Sequence, residues 1–178
     1  YGKAAQRREL DAQSLLGGVV SVLPARIAYF LDLQGPCLAV DTACSSSLVA
    51  VANACDSLLL GNSDLALAGG VCVMSGPEIH VMMSKAGMLS PSGRCWTFDE
   101  RADGFVPGEG VGAVLLKRLA DAERDGDAIY GVLRAWGLNQ DGRTNGITAP
   151  NARAQTRLLT EVYRRGGIDP AGIQLVEA

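Results

Sequence analysis

The chain has 178 residues, a length that suits about one domain of ordinary size. Because 48% of the residues are hydrophobic and 20% are charged, the composition excludes intrinsic disorder as the main state of the chain. With 16 basic and 19 acidic residues, the formal net charge is -3. No positive excess is available to neutralise phosphates, so nucleic acid is not expected as a partner.

The first half of the chain predicts helices that alternate with short buried strands. Its first dozen residues are polar and predict a helix or loop, and residues 14–30 predict helix interrupted by glycine and proline. Short apolar runs predict buried strands at 37–40 and 65–73, and Gly69-Gly70 in the second strand predicts a close backbone approach. Between these strands we expect a long helix over 45–60, which ends at Gly61-Asn62. Because this helix is apolar almost all round, it is expected to be buried.

The second half of the chain continues the alternation with shorter elements. In chain order the sequence predicts a helix at 81–88, a turn at 90–93 and an irregular glycine-rich segment at 99–112. Buried strands are then predicted at 111–116 and 130–136. A helix capped by Asn151 runs to about Arg165, and a turn at Asp169-Pro170 precedes a last strand at 173–178. Buried strands that alternate with helices indicate an α/β fold with a largely parallel or mixed sheet.

The five cysteines predict free thiols rather than a disulfide framework or a metal site. No pair of them has the CxxC spacing of a zinc or thioredoxin motif, and no Asn-x-Ser/Thr sequon is present. A reducing cytoplasm therefore fits best. The apolar stretches 48–60 and 65–74 are too short and too mixed to span a bilayer, so no membrane association is expected.

Cys44 is the candidate nucleophile because it stands between a predicted strand and a predicted helix. The chain turns through Asp41-Thr42-Ala43 and reaches Cys44 at the start of the long helix. Free N–H groups and the partial positive charge of a helix N-terminus favour a thiolate, the nucleophilic form of cysteine. The same N–H groups can hold the oxyanion that forms when a thioester carbonyl is attacked. On spacing alone, an ordinary buried cysteine remains the other interpretation.

The motif around Cys44 belongs to a series of motifs that runs across nearly the whole chain. The series is DTACSSSL at 41–48, LAGGV at 67–71, SKAGMLS at 84–90, FD at 98–99, ADGFVPGEG at 102–110, LLKRL at 115–119, NQDGRTNG at 139–146, TAPN at 148–151 and VEA at 176–178. In this order the motifs resemble a β-ketoacyl synthase, more narrowly the ketosynthase domain of a modular polyketide synthase. The stretch from Ile79-His80 to Met88 resembles the trans-acyltransferase type.

The resemblance implies a thiolase-like fold, layered α/β/α/β/α in two similar halves and usually homodimeric. It implies that residues 1–178 are a partial ketosynthase domain, an incomplete central segment with most of the N-terminal half after its start and the beginning of the C-terminal half. It also implies that Cys44 accepts an acyl chain from the phosphopantetheine arm of an acyl carrier protein. Decarboxylative condensation with a malonyl unit then extends a polyketide or fatty-acid chain. The domain itself is expected to bind no cofactor and no metal.

The family's active site also needs two histidines, and the resemblance puts both of them downstream. The first directly follows the Val-Glu-Ala step, which in this chain is its last three residues. His80, the one histidine, matches neither position, so residues 1–178 are expected to lack condensing activity by themselves. A non-elongating ketosynthase-like domain, acting as a carrier-protein-binding scaffold or acyl-transfer module, is the alternative. A cysteine hydrolase would need a histidine near Cys44, and only His80 is available.

Two further residues are candidate substrate contacts through the resemblance. Met83 stands where the family places a residue at the acyl pocket, and a core methionine is the alternative. Thr148 stands near the pantetheine arm, and a simple turn residue is the alternative. The carboxylates Asp99, Asp103 and Glu109 lie among glycines, a context that favours loop hydrogen bonds and ion pairs over acid/base catalysis.

Overall fold

The structure, a computed structural model, describes residues 12–177, and these form six α-helices and two β-strands. The elements are α1 Ala12–Gly18, α2 Val22–Phe30, α3 Ser46–Leu59, β1 Leu65–Cys72, α4 Glu78–Lys85, β2 Gly110–Lys117, α5 Leu119–Asp125 and α6 Ala152–Gly166. Short 3-10 turns lie at Ala43–Ser45 and Pro170–Gly172. The helix or loop predicted for the first dozen residues falls almost wholly outside the described residues, as does Ala178.

Strands β1 and β2 form an antiparallel pair, and α3 packs on β1. The register runs from Leu65 opposite Lys117 to Cys72 opposite Gly110. A β-carbon at Gly69 would lie 2.6 Å from the Gly112 carbonyl oxygen on β2. Glycine at this position therefore permits an approach that a side chain would block, as the sequence predicts for the Gly69-Gly70 pair.

Helices α3 and α6 confirm the end signals of the sequence. After α3, Gly61 adopts a φ of 74°, and Asn62 N donates to Ser57 O at 2.9 Å, a Schellman-type ending. The Asn151 side chain accepts from Arg153 N and Ala154 N at the start of α6. None of the helices within residues 12–177 is long and apolar enough to cross a membrane.

Several predicted elements are wrong or shifted. Residues 37–40, 130–136 and 173–177 form no strands, because no neighbouring strand in the described part of the chain offers their backbone groups a partner. Without those neighbours the observed pairing is antiparallel, rather than the largely parallel or mixed sheet that the alternation predicts. The helix predicted at 81–88 is α4, which begins and ends three residues earlier, and Gly87 with a φ of 68° follows it.

Burial is far lower than the sequence predicts. The buried apolar residues of the described range are Ala52, Cys55, Leu58, Ala68, Ala122 and Ala154. The expectation that α3 is buried all round is wrong, because Leu48 and Leu59, near its two ends, are 71% and 69% exposed. The accessible surface is 14547 Å², against about 8200 Å² expected for a compact protein of 18.6 kDa.

Arg118 joins four parts of the described structure at the end of β2. Its Nε donates to Asp121 Oδ2 at 2.5 Å, and its Nη2 donates to Asp64 Oδ1 at 2.7 Å. Its Nη1 donates to the carbonyl oxygens of Leu58 and Ser63, both at 2.9 Å. The guanidinium therefore links the last turn of α3, the approach to β1, the end of β2 and the first turn of α5.

Replacing Arg118 by glutamine is expected to lower the thermal midpoint of the full-length protein by roughly 3–6 °C at neutral pH, because two carbonyls and two carboxylates each lose a hydrogen bond. Hydrogen bonds from Arg118 and Arg124 hold the pKa of Asp121 below its usual 3.8. A lowered pKa contributes stability above the usual value, and that contribution is lost as pH falls through the lowered pKa. The difference between parent and variant should therefore shrink below about pH 4.

Arg124→Gln is the matched control, since Arg124 also pairs with Asp121 but its side chain is 66% exposed. This variant is expected to shift the midpoint by less than about 2 °C. Calorimetric unfolding between about pH 3 and pH 7, a range that includes the titration of carboxylates, measures both effects. Equal shifts for the two variants, or a difference that does not change with pH, would contradict the role assigned to Arg118.

Candidate active site

Cys44 lies in the 3-10 turn Ala43–Ser45 that leads directly into α3. It is exposed, and its backbone N–H forms no hydrogen bond within residues 12–177. Ala43, the residue before it, has a φ of 57°, a left-handed conformation that costs a residue with a β-carbon about 1–2 kcal/mol. Cys44 therefore has an accessible thiol, a backbone N–H without a hydrogen-bond partner in the described residues, and a tight backbone bend directly before it.

Side chains of the same motif hold this turn in place. Asp41 Oδ1 accepts from Ala43 N at 3.2 Å, and Ser45 Oγ donates to Thr42 O at 2.9 Å. The hydroxyls of Thr42 and Ser45 also lie 2.8 Å apart. Ser46 Oγ donates to Ala43 O at 2.7 Å and accepts from Thr42 N at 2.9 Å. These bonds offset the strain at Ala43 and fix the backbone that carries Cys44.

The first turn of α3 is seated on β1 by a close contact. A β-carbon at Gly70 would lie 2.7 Å from Ser47 Cβ, well inside ordinary contact distance. Only a glycine lets the strand approach the helix this closely, and the helix start is thereby fixed relative to the β1–β2 pair. The sequence predicts a close backbone approach at Gly69-Gly70, and the structure confirms it at both glycines.

Met83 lies half-buried on α4. Its carbonyl oxygen accepts from Met88 N at 3.0 Å, and the Gly87 N–H bonds to Ser84 O, so this helix also ends in a Schellman-type turn. His80, on the same helix, is exposed. In the described part of the chain, no hydrogen bond connects α4 with the turn around Cys44.

Thr148 lies exposed in the polar loop before α6. The loop is closed by hydrogen bonds on both sides, from Thr144 Oγ1 to Gly146 O at 2.6 Å and from Asn151 Nδ2 to Asp141 O at 2.7 Å. Cys44, Met83 and Thr148 thus lie on three separate elements. Their side chains are not joined by hydrogen bonds within residues 12–177.

Two carboxylates of the glycine-rich segment form loop contacts, in agreement with their sequence context. Asp99 accepts from Arg101 Nε at 2.8 Å and from Arg101 Nη2 at 2.7 Å, and these bonds hold the pKa of Asp99 below its usual value. The Arg101 guanidinium also stacks on the Trp96 ring at 3.7 Å. Glu109 Oε1 accepts a hydrogen bond from Met74 N. Both carboxylates are therefore engaged in structural contacts.

Of the other four cysteines, one is buried and three are exposed. Cys55 is buried on α3, and burial together with the negative charge of Asp56 raises the pKa of its thiol. Cys37, Cys72 and Cys95 are exposed, and Cys95 Sγ accepts a hydrogen bond from Val106 N. All five cysteines are free thiols, and the described residues contain no cluster of three or more His, Cys, Asp or Glu side chains that could hold a metal ion.

Sequence reasoning missed the part that Ser46 and the bent residue Ala43 play at this site. The serines after Cys44 indicate capping groups and small volume, but their hydrogen-bond partners are not readable from the sequence. A left-handed alanine carries no sequence signal, because alanine disfavours that conformation. The signal that does exist is the run of short hydroxyl side chains around one cysteine, since such side chains hydrogen-bond to nearby backbone.

Comparison with known families matches nearly the whole chain. Residues 2–122 match the family described as beta-ketoacyl synthase, N-terminal domain, and residues 130–178 match beta-ketoacyl synthase, C-terminal domain.

Curated relatives share about half of the aligned residues. Polyketide synthase ThaG of Burkholderia thailandensis is 55% identical over 168 residues, which covers 94% of this chain and 3% of that protein. Polyketide synthase PksL of Bacillus subtilis is 52% identical over 177 residues, which covers 99% of this chain and 4% of that protein. The chain therefore spans only a small part of the length of these relatives.

Solved structures of ketosynthases superpose on most of this chain. The ketosynthase from module 6 of the bacillaene synthase of Bacillus subtilis 168 superposes with a TM-score of 0.87 at 48% identity, over 93% of this chain and 31% of that one. The oxazolomycin ketosynthase domain OzmH KS7 of Streptomyces albus JA3453 superposes with a TM-score of 0.85 at 44% identity, over 87% of this chain and 28% of that one.

Proposed function

Because the chain belongs to the β-ketoacyl synthase family and shares the thiolase-like fold of polyketide synthase ketosynthase domains, we propose that Cys44 is the residue that accepts the acyl chain. The full-length protein then joins this acyl chain to a malonyl unit. The observation that carries the proposal is the geometry of Cys44: an exposed thiol on a bent turn at the start of α3, with a backbone N–H that forms no hydrogen bond within residues 12–177.

The acyl-transfer step uses the thiol and the N–H together. The Cys44 sulfur forms a bond to the thioester carbonyl carbon, and the carbonyl oxygen gains negative charge that the Cys44 N–H can stabilise. When the tetrahedral intermediate collapses, the bond to the pantetheine sulfur breaks. The pantetheine leaves as a thiol and takes up the proton that Cys44 has lost, and the acyl group stays on Cys44.

The condensation step regenerates the cysteine. The bond between the malonyl carboxylate and its α-carbon breaks and releases carbon dioxide, and its electron pair attacks the Cys44 thioester carbonyl. The bond from that carbonyl to Cys44 then breaks, and the product is a β-ketoacyl thioester longer by two carbons. Proton handling in this step falls to the two histidines of the family, neither of which is His80.

The partners follow from the same chemistry. We assign acyl delivery to the phosphopantetheine arm of an acyl carrier protein, with Met83 at the acyl pocket and Thr148 near the arm. Homodimerisation, the trans-acyltransferase type and a cytoplasmic location remain predictions. Five free thiols support the reducing compartment. The domain needs no cofactor of its own in this scheme, because sulfur chemistry and decarboxylation supply both steps.

The test is a condensation assay with the full-length protein, butyryl-pantetheine and malonyl loaded on an acyl carrier protein. The expected result is a β-ketoacyl product two carbons longer than the primer, with one carbon dioxide released per product. Acylation of the protein without release of carbon dioxide would contradict condensation and favour a non-elongating acyl-transfer domain. Failure of the protein to accept the butyryl group at all would contradict both functions.

A further inference from the structure

We propose that Ser46 is a positioning residue for acyl transfer, which orients the Cys44 N–H through the carbonyl of Ala43. This inference rests on the proposed function of Cys44 and names a residue on which that function depends. Ser46 Oγ donates to Ala43 O at 2.7 Å and accepts from Thr42 N at 2.9 Å. The hydroxyl therefore contacts the backbone on both sides of the strained residue Ala43.

The link from Ser46 to the Cys44 N–H is the planarity of a single peptide group. The Ala43 carbonyl and the Cys44 N–H belong to the same peptide unit, and in a trans peptide these two groups point in opposite directions. No peptide bond in the described residues is cis. When the Ser46 hydroxyl and the Ser46 N–H both bind the Ala43 oxygen, they fix the direction of the Cys44 N–H on the other side.

The second hydrogen bond of Ser46 stabilises the bend itself. Ala43 has a φ of 57°, so its backbone relaxes unless its neighbours hold it. The bond from Thr42 N to Ser46 Oγ ties the residue before Ala43 to the first turn of α3. The Ser46 side chain is half-buried, in contrast to the exposed Cys44. The hydroxyl is thus placed to hold the turn rather than to meet the substrate.

This role predicts that acylation and alkylation of Cys44 respond differently to loss of the Ser46 hydroxyl. Attack on a thioester needs both the thiolate and an N–H aimed at the developing oxyanion. Alkylation by iodoacetamide needs the thiolate and leaves no oxyanion on a carbonyl carbon. A residue that orients the N–H therefore affects the first reaction more than the second, whereas general loosening of the turn affects both equally.

The experiment uses the full-length protein with butyryl-pantetheine as probe, at several concentrations, and measures the acylation rate of Cys44 by peptide mass spectrometry. Ser46→Ala is expected to lower the saturating acylation rate about 10-fold, with the half-saturating concentration unchanged and the iodoacetamide rate within about 2-fold of the parent. Ser47→Ala is the matched control, since the Ser47 hydroxyl forms no hydrogen bond within residues 12–177 and the change keeps the β-carbon that faces Gly70. It should acylate within about 2-fold of the parent.

A pair of isosteric variants covers the case in which Ser46→Ala does not fold. Ser46→Thr and Ser46→Val have the same shape and differ in one hydroxyl, so the threonine variant is expected to acylate about 5-fold faster or more. Three results would overturn the role of Ser46 and leave the proposed function of Cys44 standing. They are equal acylation of the threonine and valine variants, unchanged acylation of Ser46→Ala, and an equal fall in acylation and alkylation. A parent protein that never acquires the butyryl group on Cys44 would overturn the proposed function as well.

Discussion

Replacing Cys44 by alanine is expected to lower acyl acceptance and condensation by at least about 10³-fold. The alanine removes the only sulfur on the turn before α3, and the hydroxyls around it are bound to backbone atoms rather than free to attack. Because Cys44 is exposed, the change leaves no cavity, and the thermal midpoint is expected to stay within about 2 °C of the parent. Acyl transfer from butyryl-pantetheine and calorimetric unfolding measure the two quantities.

Cys37→Ala is the matched control for this experiment. Cys37 is also exposed, so the same chemical change is made at a second accessible thiol. Its acyl acceptance is expected to remain within about 2-fold of the parent. If Cys44→Ala retained a tenth or more of the parent rate, the activation free energy would rise by no more than about 1.4 kcal/mol. Another group would then have to be the acyl acceptor.

Replacing Gly104 by alanine is expected to destabilise the fold by about 3–5 kcal/mol. Gly104 has a φ of 143°, and a β-carbon there would lie 2.5 Å from both the Leu89 carbonyl carbon and Ser90 N. Both atoms are backbone and cannot rotate away. The contact lies beside a small parallel bridge, in which Phe105 N donates to Met88 O and Ser90 N donates to Phe105 O, each at 3.0 Å. The alanine would push these two segments apart.

Gly108→Ala is the control for backbone entropy without a clash. No atom lies within 4 Å of a β-carbon built at Gly108, and its φ is not in the left-handed range. This variant is expected to change the free energy of unfolding by less than about 1 kcal/mol. Calorimetric unfolding of the full-length protein compares the two glycines. A Gly104 variant as stable as the Gly108 variant would show that the two segments are not held together as described.

Local signals predicted most of the helices correctly, because their causes lie within a few residues. Asn151 caps α6 with its own side chain, and Gly61 ends α3 by adopting a left-handed conformation. The strands β1 and β2 were also predicted, since each is a run of apolar and glycine residues and the two can pair with each other. These elements need little beyond neighbouring sequence.

The strands predicted at 37–40 and 130–136 failed because a strand is defined by a partner and not by its own residues. Apolar runs of four to seven residues indicate burial, but a ladder needs a second backbone alongside. No such backbone lies beside these runs in the described residues. The exposure of Leu48 and Leu59 on α3 has a similar origin, since an apolar side chain is buried only where a second element packs against it.

The sequence singles out Cys44 as the candidate nucleophile, but it does not predict the geometry around this residue. The motif around Cys44 combines a cysteine, small hydroxyl residues and a following apolar helix, and this pattern points to a reactive thiol on a rigid mount. The left-handed Ala43 and the two bonds of Ser46 depend on backbone coordinates. Met83 and Thr148 were assigned through the family resemblance, and their contacts with substrate remain predictions.

The most direct test of Cys44 as the acyl acceptor is to locate the acyl group after the full-length protein reacts with butyryl-pantetheine. Digestion and mass spectrometry of the peptides that carry Cys37, Cys44, Cys55, Cys72 and Cys95 give the answer residue by residue. We expect a butyryl thioester on Cys44, while the buried Cys55, with its raised thiol pKa, stays unmodified. A butyryl group on a different cysteine, or none on Cys44 when the product still forms, would contradict the assignment.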